Sequence, residues 1–209
     1  FEPKTFVTTV FVNMVAGPID MNNGMFDLRQ GHTTRVDESQ PVPSTLVSEA
    51  ARTLIAFSGV TILPDIPEYY RKYPALLNFL SAQKMPWKES RTLAGEIGEY
   101  IVMMRETEDA YLVGAATNES GRTIDLPLSF LEKGKYTVEV IEDGDDAHYL
   151  TNRESLKVTT WQLTNNDKLA LKLAPGGGAC LVIKKTPSMR VGEQAAFPLV
   201  SPSWKIGRE

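Results

Sequence analysis

The sequence predicts a half-barrel or helical segment followed by an antiparallel β-sandwich, and two observations carry that expectation. Over residues 1–85 apolar residues recur four apart, the spacing of a helical face. From Glu99 onward the period drops to two, with turn residues between successive runs.

In the first part, Phe6, Val10 and Met14 form one stripe at i+4 and Val7, Phe11 and Val15 another. The β-branched Val7, Thr8, Thr9, Val10 and Val12 pull against the helix that these stripes predict. Ala16-Gly17-Pro18-Ile19-Asp20 breaks it, and residues 21–43 lack any period and read as a loop. Ser44 or Thr45 is suited to cap a second helix, with Glu49 in its first turns. Leu46, Val47, Ala50, Ala51, Leu54 and Ile55 trace its face, and it should end near Ser58-Gly59. A further helix starts around Pro67 and runs through Tyr70, Leu76, Leu77 and Leu80, with Pro74 kinking or splitting it.

In the second part, seven strands are expected: Tyr100–Arg105, Ala110–Thr117, Thr123–Leu128, Lys135–Ile141, Leu156–Leu163, Lys168–Leu173 and Ala179–Lys185. Turns such as Glu119-Ser120-Gly121, Asp143-Gly144-Asp145 and Pro175-Gly176-Gly177-Gly178 separate them. Residues 186–209 have no period. Pro187, Pro198 and Pro202 with isolated Phe197 and Trp204 predict an extended tail.

Composition narrows the function classes. A 42% hydrophobic, 23% charged chain of 209 residues is an ordinary globular composition. A net charge of −4 argues against nucleic acid as partner, since phosphate binding needs clustered Lys and Arg. Phe6–Val15 and Leu54–Leu63 are too short or too interrupted to span a bilayer. Cys180 is the single cysteine, so no internal disulfide and no cysteine zinc cage can form, and its apolar flanks predict a core position. The chain starts at Phe1 with no signal-peptide pattern, which suggests a piece of something longer.

Motifs of chemistry are sparse. Gly176-Gly177-Gly178 lies between strands, not before a helix, and reads as a turn instead of a phosphate cradle. His32 falls in the long polar loop and His148 in an acidic loop; both read as solvated. Asp143, Asp145 and Asp146 offer oxygen ligands, but the EF-hand pattern is missing, and a solvated hairpin loop is the expectation. Trp87, Tyr100, Tyr111 and Trp161 have the ring faces that stack on sugars, yet their places at or beside strand starts predict core packing.

The order of several segments adds a family. Val12–Met21, with Ala16-Gly17-Pro18-Ile19-Asp20 at its centre, resembles the "PFTRxxAGPMDYTPG" signature of glycoside hydrolase family 97. Pro43-Ser44-Thr45-Leu46 is similar to that family's "RPVSTLAHQLAL" helix, and Trp87–Tyr100 to its "WDETRLLEGEPGEYVV" join. Tyr111-Leu112-Val113-Gly114 with Thr117-Asn118 resembles "WYVGGLTNE", and Leu173–Gly178 its closing "LAPGGG". The resemblance runs from about residue 10 to 184. It departs where the family has "PFTR", here Val10-Phe11-Val12-Asn13, and where "DYTPG" becomes Asp20-Met21-Asn22-Asn23-Gly24.

That resemblance implies an α/β plus all-β fold class: residues 1–85 as the last units of a (β/α)8 barrel, 86–185 as the C-terminal antiparallel β-sandwich, and 186–209 as a tail. It implies a periplasmic or secreted enzyme cleaving α-glucosidic or α-galactosidic bonds of oligosaccharides, with calcium held by glutamates at the active site. The family's barrel glutamate falls at Lys4 by strict spacing and at Glu2 if two residues are inserted. Glu2 is therefore the one candidate here for catalytic acid and metal ligand, its partner carboxylate lying upstream. A truncated barrel would leave Phe6, Val10, Phe11, Leu46, Ala50, Leu54 and Leu77 uncovered, with Ala51, Ile55 and the Asp20 loop lining the contact with the missing part. The rival reading is a non-catalytic carbohydrate-binding or scaffolding module made of the sandwich alone.

Overall fold

The structure, a computed structural model, describes residues 2–20, 22–28 and 42–187. His32 and most of the tail therefore lie outside the described residues. Helices come first: α1 (Pro3–Ala16), α2 (Leu46–Ile55), α3 (Pro67–Arg71) and α4 (Pro74–Ser81). Strands follow: β1 (Glu89–Glu96), β2 (Tyr100–Glu106), β3 (Tyr111–Thr117), β4 (Arg122–Pro127), β5 (Lys135–Asp143), β6 (Leu156–Thr164), β7 (Lys168–Leu173) and β8 (Gly178–Lys185). Prolines at the first positions of α1, α3 and α4 suit the helix start, where no N–H is needed. Pro74 splits the expected third helix in two, and α2 ends at Ile55, before Ser58-Gly59.

All seven expected strands form. The eighth, β1, has no sequence signal, because it is the edge strand and its burial does not alternate. The order β1-β2-β3-β8-β5-β6 makes a six-stranded sheet, and β4-β7 makes a two-stranded one. Every pairing is antiparallel. Between the sheets, Val102, Met104, Val113, Tyr136, Val138 and Leu181 pack against Ile124, Leu126, Leu171 and Leu173. Alternation sends their neighbours Ile101, Met103, Leu112, Cys180 and Val182 to the other face, which the helices cover. Cys180 is fully buried, as expected, and burial raises its thiol well above the usual value.

The helical segment thus departs from the expectation that a truncated barrel leaves its apolar faces uncovered. Among the described residues no strand precedes Glu89. Phe6, Val10, Leu46, Ala50, Ala51, Leu54 and Ile55 are buried within this chain, with Phe11 and Leu77 half-buried. The physical reason is the seat of α2, all ten of whose residues are buried. Gly114 of β3 and Gly178 of β8 let its backbone approach the sheet. A Cβ on Gly114 would stand 2.9 Å from the Ala51 carbonyl oxygen, and one on Gly178 would stand 2.8 Å from Ser48 Cα. α1, α4 and the segment around Phe26 and Leu28 complete the cluster. Both stripes on α1 are buried at their start and exposed at their end: Phe6, Val7 and Val10 are buried, while Met14 and Val15 are 44% and 90% exposed.

Both ends of α2 are held. Thr45 caps the N-terminus by accepting the Ser48 N–H at 3.1 Å. At the C-terminus, Arg105 of β2 donates to the Leu54 and Ile55 carbonyls at 3.3 and 3.1 Å and stacks 4.5 Å from the Trp87 ring. A cation at that end also complements the helix dipole. Burial lowers the Arg105 guanidinium to about 10.

Candidate functional site

The candidate residue Glu2 stands at the start of α1. It occupies the N-cap position, is exposed, and makes no side-chain capping bond. Its carbonyl accepts the Thr5 and Phe6 N–H groups, the ordinary opening of a helix after a Pro at N1. The next free donor, the Lys4 N–H, reaches Glu119 in the β3–β4 turn at 3.0 Å. The sandwich, not Glu2, thereby supplies the carboxylate at this positive helix end.

A polar network secures the same region. Arg122 reaches Glu99 at 2.8 Å, Asn118 Oδ1 at 3.0 Å and Thr117 Oγ1 at 2.7 Å. It lies 5.0 Å from the Tyr100 ring. The Arg122 hydrogen bond holds the Glu99 carboxyl below its ordinary value. Asn118 donates to the Gly98 carbonyl at 3.0 Å, and Gly98 N–H donates to the Val7 carbonyl of α1. These contacts fix the direction of α1 against two hairpin turns.

A calcium ion takes six to eight oxygen ligands from several carboxylates. Among the described residues, no three His, Cys, Asp or Glu side chains converge on a point where a metal could sit. Among the described residues Glu2 is therefore a single carboxylate without companions, and those residues do not compose a calcium site by themselves. The acidic loop after β5 separates in the same way. Asp145 pairs with Lys172 at 2.8 Å, while Asp146 accepts from Asn152 and Ser155.

Asp143 departs from the expected solvated loop. It is 3% exposed, and its Oδ2 accepts the Ala174 N–H at 3.0 Å and the Gly178 N–H at 2.7 Å. The Thr45 N–H donates to the Gly176 carbonyl at 3.4 Å, which ties the cap of α2 to the same turn before β8. Burial pushes Asp143 up to about 6, against the lowering effect of the Ala174 and Gly178 N–H groups. His148 bridges to Asn152 and stacks 4.9 Å from Tyr149, a local loop brace. Tyr100, Tyr111 and Trp87 are half-buried as core-packing residues, whereas Trp161 is 50% exposed and corrects the expectation of core packing. Its position faces the core side of β6, but the second sheet is only two strands wide and leaves it uncovered.

With this arrangement in view, comparison with known proteins identifies the chain. Residues 86–184 match the family described as "Glycosyl-hydrolase 97 C-terminal, oligomerisation". A retaining alpha-galactosidase of Bacteroides thetaiotaomicron is 31% identical over 184 residues, 88% of this chain and 28% of that protein. The chain belongs to glycoside hydrolase family 97. A probable retaining alpha-galactosidase of Streptomyces bingchenggensis is 27% identical over 66% of this chain and 20% of its own length. Among solved structures, a glycoside hydrolase family 97 enzyme from Pseudoalteromonas sp. strain K8, in complex with acarbose, superposes with a TM-score of 0.81 at 29% identity. That match covers 89% of this chain and 29% of the enzyme. A β-arabinopyranosidase shares the fold at a TM-score of 0.64 and 19% identity. The family 97 chain described here spans less than a third of the length of the curated relatives it matches.

Proposed function

We propose that this chain is the C-terminal part of a retaining α-galactosidase, in which it braces the catalytic domain while the reaction is carried mainly by preceding residues. The observation behind this reading is the 31% identity to a protein of that name over 88% of the chain. Retaining hydrolysis needs two carboxyl groups about 5 Å apart, one giving a proton to the leaving oxygen and the other attacking the sugar carbon. Glu2, exposed at the start of a helix that the sandwich holds in place, is this chain's proposed contribution to that set. Calcium and the other carboxylates then belong to the preceding polypeptide, and residues 1–85 are its last barrel units.

The test is release of p-nitrophenol from α-galactoside and α-glucoside substrates by the full-length protein, with and without a chelator. Faster turnover of the galactoside, lost with the chelator, supports the reading. Turnover of the glucoside alone overturns the specificity. Full activity in Glu2→Gln removes Glu2 from the catalytic set without touching the rest.

A further inference from the structure

The six-stranded sheet is wider than the sheet that faces it, and the mismatch makes a groove. β7 lies over β5 and β8, so the inner face of β6 extends past it. On that face Thr159, Trp161 and Leu163 pair with Val140, Val138 and Tyr136, which are core residues of the sandwich. Trp161 is thus a core-side residue with half its surface in solvent. The space between β6 and β7 holds about 540 Å3. That lies inside the range of roughly 300–1,000 Å3 typical of small-molecule sites.

The lining has two characters. Trp161, Leu163 and Leu169 give an apolar floor and wall, while Lys157, Lys168 and Glu142 supply polar groups around them. Glu142 is only 8% exposed, and its carboxylate accepts the Lys172 N–H at 3.3 Å, which fixes it in the wall. The Trp161 Nε1–H donates to Thr159 Oγ1 at 3.1 Å, two residues back on the same face. The indole is therefore held in place before anything binds, so little conformational entropy is lost on stacking.

We propose that this groove is a non-catalytic glycan-holding site, with a pyranose ring of a polysaccharide chain stacked on Trp161. A pyranose has an apolar C–H face and a rim of hydroxyls, and the groove offers one aromatic face with donors and acceptors beside it. A second copy of the chain fits worse. A two-fold axis through the groove would lay one concave surface on another, leaving unfilled space and bringing two lysine-bearing walls together. The proposal rests on the α-galactosidase reading only for where the polysaccharide comes from.

The test uses the full-length protein in native gels cast with galactomannan, with polygalacturonate, or with neither. Galactomannan retards the wild type. Trp161→Ala weakens that retardation by about tenfold in Kd, the scale of one lost aromatic stack, and Trp161→Phe restores part of it. Both variants hydrolyse p-nitrophenyl α-galactoside with unchanged kcat and KM, since so small a substrate does not reach the groove. Any of four results overturns the proposal: no retardation of the wild type, equal retardation of Trp161→Ala, retardation by polygalacturonate alone that depends on Lys157 and Lys168 but not on Trp161, or a changed sedimentation mass in Trp161→Ala, which would seat a second copy there. Loss of galactosidase specificity with retention of the Trp161 effect would refute the enzyme assignment and leave the glycan site standing.

Discussion

Asp143 shows how one residue can escape sequence reading and still govern stability. The segment Asp143-Gly144-Asp145 reads as a solvated turn, and nothing local signals that the Ala174 and Gly178 N–H groups, some thirty positions later, close on the first carboxylate. Its folded value of about 6 lies above the unfolded carboxylate value, mainly through burial. The protonated form is thus favoured by folding. This contribution is complete below about pH 4 and is lost as pH rises through 6. We expect Asp143→Asn, whose amide oxygen can still accept the Ala174 and Gly178 N–H groups, to remove this dependence. In urea unfolding, the drop in stability between pH 4 and pH 7 should shrink by about 2 kcal/mol relative to the wild type; an unchanged slope would refute the assignment. Asp143→Ala leaves two buried donors unpaired and should cost about 2 kcal/mol or more at either pH.

At the scale of elements, β4, β5 and β7 were legible by their alternation, and β2, β3 and β8 because apolar runs bounded by turn residues mark strands covered on both faces. β1 was not, since an edge strand with Glu89, Arg91 and Glu96 exposed needs no alternation. For α2 the sequence showed the helix and its cap but not its seat. Leu46 through Ile55 look amphipathic, yet every residue is buried, because Glu49 and Arg52 pair at 2.9 Å and Arg52 lies 4.7 Å from the Phe6 ring. The seat depends on the two glycines beneath it. Gly178→Ala would place a Cβ 2.6 Å from the Ala115 carbonyl oxygen as well as against Ser48. Backbone on both sides cannot yield cheaply, and we expect a loss of about 2–3 kcal/mol, read as a lower urea midpoint. A loss below 0.5 kcal/mol would mean that α2 is not packed so closely.

For the whole molecule, the family was legible in the order of its segments, while the place where the helical part buries its apolar face was not. Burying Phe6, Val10 and Leu54 against the sandwich moves the exposed apolar surface elsewhere, to Val12, Val15, Val60, Ile62 and Ile66. Where exposed apolar residues gather they mark a contact surface, and the isolated 209-residue chain should bind a hydrophobic dye there. Replacing Val15, Val60 and Ile62 by Ser should lower the dye signal with Tm unchanged; an unaltered signal would place the patch elsewhere. The same isolated chain should hydrolyse no glycoside, because its described residues do not bring a carboxylate pair or metal set together; measured turnover by the purified chain would contradict this. The family boundary at residue 86 is a boundary of sequence, not of folding, because the larger sheet has α2 as its lid. An ancestral gene fusion that moved the sandwich alone would have carried Ile101, Leu112 and Val182 into water. Exchange of this domain between enzymes should therefore succeed only when the breakpoint falls before Leu46, so that the helix is inherited with the sheet it covers.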